Sequence, residues 1–209
     1  MLAIQRVEGA TIQFIEELPG WNRALPTTLI APADTLEQRR AKLHEFVARA
    51  LALHPGHVEI EHAADRPPIV GKPLGSGLYL SSSSRGGFAA LGAASAPIGV
   101  DVEALDEAGE IPWNVLHPSE AEMLQGLKGR PRSMAFARLW SLKECYLKSL
   151  GLGLGREPST FAVRFLDGEL AAVDDPIASA RVAYARTAWR SAGGVWSAVS
   201  TVVLARQRR

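Results

Sequence analysis

The sequence predicts an α+β fold built from two similar lobes. Each half of the 209-residue chain carries a stretch with helical periodicity followed by strand-like segments that pair as hairpins. A break near Pro97 divides the chain almost evenly. We therefore expect an N-terminal lobe over residues 1–97 and a C-terminal lobe over residues 98–209.

Composition and charge describe an ordinary globular protein. Hydrophobic residues make up 47% of the chain, and 23 basic residues balance 22 acidic ones to a net charge of +1. This balance predicts neither nucleic acid nor a membrane surface as a partner. No apolar run is long enough to span a bilayer, and the N-terminus lacks the features of a secretory signal. The single cysteine, Cys145, fits a reducing compartment and is expected to be buried, so we expect a cytoplasmic protein.

In the N-terminal half, one helix and several strands are expected. Residues 1–30 are typical of one or two strands with loops. Residues 35–54 predict a helix that ends at Pro55-Gly56. Its apolar positions follow helical spacing: Leu36, Leu43, Phe46, Val47, Ala50 and Leu51.

The rest of this half is expected to be loop and hairpin. Residues 57–62 indicate a short strand and residues 66–77 a loop. Two strand-like runs, 78–82 and 88–94, are joined around residues 85–87 and predict a hairpin.

The C-terminal half is expected to open with a strand over 98–103, followed by two helices. The first begins at Pro118 or Ser119, where Ser119 and Glu122 have the spacing of a capping box. The second covers residues 132–150. Two hairpins then follow, one around Asp167-Gly168 and one around residues 191–194.

Charged side chains accompany the apolar stripe of the helix over 132–150. The stripe consists of Phe136, Leu139, Trp140, Leu147 and Leu150. Lys143 falls within it, and Glu144 and Lys148 lie beside it, one turn apart. One interpretation is a solvated ion pair with Lys143 snorkelling to the surface. The other is the rim of a cleft, where a carboxylate holds a cation and ammonium groups neutralise phosphate.

Two further carboxylates stand in the strand IGVDVE. Asp101 and Glu103 are two residues apart, so both point to one face of the strand and repel each other. The pair alone is compatible with an exposed strand end. Together with Glu144 it would give three hard oxygen ligands, which suit Mg²⁺.

The two segments together resemble the signature of a known family. GVDVE is followed some forty residues later by WSLKECYLKSLGLGL, and both match the 4'-phosphopantetheinyl transferase superfamily in order and spacing. The matching positions of the second motif are Trp140, Lys143, Glu144, Lys148, Gly151, Gly153 and Leu154. Residues 158–163 also resemble the family's continuation. The length and the motifs of the first half are similar to the larger, surfactin-type branch, which implies two similar lobes in a pseudo-twofold arrangement with the active site between them.

The resemblance implies an activity. A member of this family transfers the 4'-phosphopantetheine arm of coenzyme A to a serine of an apo acyl or peptidyl carrier protein, with Mg²⁺ (or Mn²⁺), and releases 3',5'-ADP. Such a two-lobed chain completes its own cleft, so a monomer is expected. Two alternatives stay open: a non-catalytic relative that binds a carrier protein or nucleotide as a partner or regulator, and a metal-dependent phosphohydrolase.

The resemblance also implies roles for residues of the C-terminal lobe. Asp101, Glu103 and Glu144 correspond to the metal ligands. Lys148 corresponds to the lysine that binds pyrophosphate, with Lys143 as a helper. Glu120, Lys148 and Glu103 are the catalytic candidates, with Glu120 as a general base. Glu120 is equally explained as a carboxylate that stabilises a helix N-terminus.

The resemblance also implies that the N-terminal lobe binds the nucleotide part of coenzyme A. Arg40, Lys72 and Pro73 match its basic and loop positions. Ser82 and Ser83 fall in the stretch that precedes the hairpin. Here the sequence departs from the family, because Tyr79 stands where asparagine is common and Ser82 where a histidine is usual. Arg85 is near enough in sequence to supply the missing charge.

Overall fold

The computed structural model describes residues 5–7, 10–14, 27–32, 35–63, 66–85, 87–152, 155–166, 168–177, 181–192 and 194–206. These residues contain both α-helices and antiparallel sheets, which confirms the predicted α+β class. Within them, no helix has the length and apolar character that crossing a bilayer would require.

The strands of the N-terminal half form a five-stranded antiparallel sheet and a small two-stranded one. Their bounds are β1 (Gln5–Val7), β2 (Ala10–Phe14), β3 (Thr27–Pro32), β4 (Glu59–Glu61), β5 (Ile69–Lys72), β6 (Tyr79–Arg85) and β7 (Phe88–Ala94). The larger sheet has the order β1-β2-β3-β7-β6, so β6 is an edge strand. The predicted strand in 57–62 is confirmed as β4. Its partner β5 lies in a segment that was expected to be loop, and that expectation was wrong.

The predicted first helix is confirmed as α1 (Leu36–Ala50), which packs on the larger of these sheets. Thr35 and Gln38 form a capping box at its start. The buried face of α1 includes Phe46 and Val47, which pack in one core cluster with Leu80 of β6 and Leu91 of β7. This packing places β6 between the helix and the second sheet.

The strands of the C-terminal half form a second antiparallel sheet of five strands. They are β8 (Ile98–Ala104), β9 (Ala162–Phe165), β10 (Leu170–Asp174), β11 (Arg181–Ala192) and β12 (Val195–Arg206). Their spatial order is β8-β12-β11-β10-β9, so β8 is an edge strand as well. Both predicted hairpins are confirmed, although the turn residues Asp167 and Gly193 lie outside the described residues.

Two helices accompany this sheet, α2 (Pro118–Gln125) and α3 (Gly129–Leu150). The predicted capping box of Ser119 and Glu122 was wrong. His117 is the N-cap of α2, and its backbone N–H donates to Glu120 Oε2 at 2.8 Å. Pro118 therefore occupies the first helical position, where its missing N–H costs nothing.

The two sheets pack against each other through small apolar side chains. Ile30 and Ala90 from the first sheet share a core cluster with Val100, Val199 and Val203 from the second. Within the same contact, the buried hydroxyls of Thr28 and Thr201 hydrogen-bond at 2.8 Å. The chain passes from one sheet to the other between the end of β7 and the start of β8.

Candidate active site

A partly buried ion pair joins β8 to α3. The Nζ atom of Lys148 donates to Asp101 Oδ1 at 2.8 Å and to the backbone oxygen of Val100 at 3.2 Å. Asp101 is buried on β8, whereas the Lys148 side chain is 27% exposed. The ammonium group of α3 is therefore held at a surface-facing edge of the strand.

Glu103 lies two residues further along β8 and faces Arg85 of β6. The Arg85 Nη1 atom lies 3.4 Å from Glu103 Oε2. Burial raises the pKa of Glu103 from 4.5 to about 6. Arg85 works against this rise, and the carboxylates of Asp101 and Glu144 add to it. A carboxyl group with this pKa titrates near pH 6.

Glu144 completes the group of charges from α3. Burial raises its pKa, Lys148 lowers it and Asp101 raises it. Burial acts to lower the pKa of Lys148, but Asp101 and Glu144 raise it overall. The structure therefore brings Asp101, Glu103, Glu144 and Lys148 into one electrostatic group.

The three carboxylates suit a divalent cation by chemistry rather than by a preformed cage. Hard oxygen donors are what Mg²⁺ prefers, and a cation would relieve the mutual repulsion that contributes to the raised pKa of Glu103. Among the described residues, no three His, Cys, Asp or Glu side chains stand close enough together to hold a metal ion. The fit to a divalent cation therefore rests on the chemistry of the three oxygen donors.

Ser83 of β6 contacts Asp101 directly. Its Oγ donates to Asp101 Oδ1 at 2.7 Å and accepts from the backbone N–H of Val102 at 3.4 Å. Ser83 was predicted to contact coenzyme A, and its hydrogen bond to a carboxylate was not predicted. Ser82 is exposed, as the alternation of side chains along a strand requires.

The other predicted coenzyme A residues lie in the N-terminal half, on surfaces open to solvent. Lys72 is 65% exposed and its Nζ lies 2.6 Å from Glu59 Oε1. Pro73 and Arg40 are also exposed. Burial lowers the pKa of His62, and the charge of Arg40 lowers it further.

Glu120 and Lys143 occupy a different position from the one expected of a general base and a ligand-binding helper. They form an ion pair of 2.9 Å with side chains only 1% and 0% exposed. Glu120 Oε1 also accepts from the backbone N–H of Val163 at 2.6 Å. Lys143 Nζ donates at 2.8 Å to the backbone oxygens of both Pro158 and Phe161. Both side chains are shielded from solvent, so the expectation that Lys143 reaches the surface was wrong. Their hydrogen bonds connect α2 and α3 to the start of β9.

The contacts of Ser81 and Ser83 on β6 with β8 were not predicted from the sequence. The signal was available in the spacing of Ser81 and Ser83, which share a strand face. What lies opposite that face could not be read from the local sequence.

Cys145 is buried as expected, and burial raises the pKa of its thiol. Gly153 and Leu154 of the second motif lie outside the described residues.

Comparison with known proteins identifies the family that this sequence resembles. Residues 97–195 match the family model described as 4'-phosphopantetheinyl transferase superfamily, which confirms the resemblance seen in the motifs. A phosphopantetheinyl transferase of Thraustochytrium sp. is 28% identical over 131 residues, which cover 56% of this chain and 46% of that protein. The 4'-phosphopantetheinyl transferase HetI of Nostoc sp. is 28% identical over 122 residues, covering 56% of this chain and 52% of HetI. A 4'-phosphopantetheinyl transferase of Bacillus subtilis is 26% identical over 130 residues, covering 62% and 57%. The chain spans about half the length of the curated relatives it matches.

Proposed function

We propose that this protein, whose residues 97–195 match the family model of the 4'-phosphopantetheinyl transferase superfamily, is a phosphopantetheinyl transferase of the holo-carrier-protein synthase type. It takes the 4'-phosphopantetheine arm from coenzyme A and attaches it to a serine hydroxyl of an apo acyl or peptidyl carrier protein. The other product is 3',5'-ADP. The reaction requires Mg²⁺, which Mn²⁺ can replace.

The observation that carries the proposal is the meeting of Asp101 and Glu103 on β8 with Glu144 and Lys148 on α3. Phosphoryl transfer needs little covalent chemistry from the protein and depends on positioning and charge. Asp101, Glu103 and Glu144 are the residues that would hold the cation. When bound, Mg²⁺ supplies a positive charge that stabilises the phosphoryl oxygens during transfer.

The chain's own groups account for the remaining steps. The serine oxygen of the carrier forms a new bond to the β-phosphorus of coenzyme A, and the bond from that phosphorus to the bridging oxygen breaks. Lys148 neutralises charge on the pyrophosphate oxygens. Glu103 is a better candidate than Glu120 for receiving the serine proton, because its side chain is 15% exposed whereas that of Glu120 is 1% exposed.

The proposal gives Glu120 and Lys143 a supporting role instead of the direct one expected from the sequence. Both side chains have their polar atoms engaged inside the core. They fix the segment that connects α3 to β9, and thereby the end of the helix that carries Glu144 and Lys148.

The donor and the acceptor complete the proposal. The nucleotide end of coenzyme A lies along the N-terminal lobe, with Arg40, Lys72, Pro73 and Ser82 as its contacts. An apo carrier protein presents its serine at the cleft between the lobes. We further propose that the protein acts as a monomer in the cytoplasm, with no nucleic acid or membrane partner.

Intact-protein mass spectrometry of an apo acyl carrier protein tests the proposal. The carrier is incubated with this protein, coenzyme A and Mg²⁺, and a parallel sample contains a chelator instead of Mg²⁺. We expect a gain of about 340 Da, one phosphopantetheine arm, only when the metal is present. Binding of coenzyme A without a mass gain on any acyl or peptidyl carrier would identify a non-catalytic relative. Release of free phosphopantetheine without a carrier would identify a hydrolase.

A further inference from the structure

Serine side chains join the edge strands of the two sheets. The Oγ of Ser81 accepts from the backbone N–H of Val100 at 3.0 Å, and the Oγ of Ser83 accepts from that of Val102 at 3.4 Å. Each pair of residues is two positions apart on its strand, so both bonds form along one side of β8. Hydroxyl oxygens of β6 thus satisfy backbone donors that a neighbouring strand would otherwise pair.

Ser83 makes one hydrogen bond that Ser81 does not make, because its hydroxyl also donates to Asp101. The Ser83 hydroxyl donates to Asp101 Oδ1 at 2.7 Å, and Lys148 Nζ donates to the same oxygen at 2.8 Å. A carboxylate oxygen has two lone pairs, so these two donors use the hydrogen-bonding capacity of Oδ1. Among the described residues, no hydrogen bond reaches Oδ2. The arrangement fixes which oxygen of Asp101 remains available.

We propose that Ser83 is a positioning residue for the cation site: it holds Asp101 Oδ1, so that Oδ2 would be the oxygen left to bind a divalent cation. This inference rests on the proposed function, since it assigns Asp101 to the metal. It replaces the expectation that Ser83 binds coenzyme A. It also means that the N-terminal sheet, through β6, orients a ligand carried by the C-terminal sheet.

The arrangement has a direct energetic consequence. A hydrogen-bonded partner behind a metal ligand orients that ligand, and its loss weakens metal binding about 10- to 100-fold. The Ser81 hydroxyl makes the same kind of backbone contact but does not touch the carboxylate. Comparing variants of the two serines therefore distinguishes the loss of a contact between the sheets from the loss of the contact that orients Asp101.

Four variants of the full chain test the inference through Mn²⁺ binding, measured as the loss of free-Mn²⁺ signal in electron paramagnetic resonance. Ser83→Ala removes both contacts, Ser83→Thr keeps the hydroxyl, and Ser81→Ala removes only a backbone contact. Ser84→Ala is the matched control, because Ser84 is exposed on the opposite strand face. Thermal unfolding of each variant is recorded to verify that it is folded.

We expect Ser83→Ala to raise the Kd for Mn²⁺ about 10- to 100-fold. Ser83→Thr should restore binding, and Ser81→Ala and Ser84→Ala should stay near the wild-type value. An equal loss in Ser81→Ala and Ser83→Ala, or no loss in Ser83→Ala, would overturn the inference.

The same measurement is independent of carrier modification. A wild-type protein that does not bind Mn²⁺ would overturn the metal site and the role of Ser83 together. A protein that binds Mn²⁺ with the expected pattern but modifies no carrier would contradict the proposed function and leave the role of Ser83 supported.

Discussion

Gly99 of β8 lies directly against the backbone of Cys145 on α3: a Cβ atom at position 99 would stand 1.8 Å from the Cys145 carbonyl oxygen. The atoms it would meet belong to the main chain of a helix, so no side-chain rotation can relieve the overlap. The contact brings the strand with Asp101 and Glu103 against the helix with Glu144 and Lys148.

Gly99→Ala is therefore expected to push α3 away from β8. Overpacking of this kind costs about 3 kcal/mol in the free energy of unfolding. Urea unfolding followed by circular dichroism measures the loss. Gly155→Ala is the control, because a Cβ there meets no atom within 4 Å. Equal stability of the two variants would mean that α3 and β8 do not approach this closely.

Replacing one member of the buried Glu120–Lys143 pair should be costly. Lys143→Met leaves an uncompensated charge on Glu120, and such changes destabilise by about 3–5 kcal/mol. The double variant Lys143→Met with Glu120→Gln removes both charges and should recover most of that loss. Chemical denaturation of the two single variants and the double variant gives the coupling energy.

An exposed pair supplies the comparison for that experiment. Lys42 and Glu45 lie 3.7 Å apart with side chains 44% and 55% exposed. Lys42→Met should change the free energy of unfolding by less than about 1 kcal/mol. Additive losses in the buried double variant would show that Glu120 and Lys143 do not interact.

The stability of the metal-free protein should fall as the pH rises through the pKa of Glu103. Because this pKa is raised from 4.5 to about 6 in the folded state, the folded protein binds the proton more tightly than the unfolded chain does. The contribution is fully present below pH 4.5 and is lost as the pH rises through about 6. Its size is at most about 2 kcal/mol, and solvent screening reduces it.

Glu103→Gln removes this titration, so the difference in stability between variant and wild type should change across that pH range. Carbon-13 NMR of the Glu103 carboxyl group measures the pKa directly. Arg85→Gln should raise the pKa further, because the charge of Arg85 lowers it in the wild type. A wild-type value near 4.5 would contradict the burial of this side chain.

Removing a predicted metal ligand should abolish Mg²⁺-dependent transfer while the protein stays folded. We expect Asp101→Asn and Glu144→Gln each to lower the rate of carrier modification at least about 100-fold. Mass spectrometry of the carrier provides the rate, and circular dichroism provides the fold. Glu122→Gln, on the exposed face of α2, is the control. Near-wild-type turnover in either ligand variant would be incompatible with the metal assignment.

Ser82→His should restore a charge where the family usually carries histidine. Ser82 is exposed, so the larger side chain fits without repacking the core. A charge-assisted hydrogen bond to phosphate contributes about 1.5–3 kcal/mol, so the KM for coenzyme A should fall at least tenfold with little change in kcat. Steady-state kinetics with varied coenzyme A measures both constants. An unchanged KM would show that position 82 does not face the donor.

The part of the site that could be predicted lies on elements with strong local patterns. Asp101 and Glu103 belong to a strand recognisable by its alternation, and Glu144 and Lys148 to a long helix with a clear apolar stripe. Strand β8 and helix α3 lie against each other, so the predicted charges meet. The family motifs supplied the pairing that periodicity alone could not.

The missed contacts depend on partners distant in sequence. Lys143 stands inside the apolar stripe of α3, which indicates burial, but its partner Glu120 comes from another helix. Ser83 meets Asp101 only because the edges of two separate sheets face each other. The short strand β5 was not predicted because prolines and glycines surround it in the sequence. Its strand conformation depends on pairing with β4.

Because of the position of β12, the residues that match the family model do not include the whole C-terminal sheet. β12 lies between β8 and β11, yet the match to the family ends at residue 195, where β12 begins. A fragment cut at that residue would lose the inner strand of its sheet and leave β8 without its backbone partner. Such a fragment would expose an unpaired strand prone to aggregation. Any expressed piece meant to retain the carboxylates must therefore extend through Arg206.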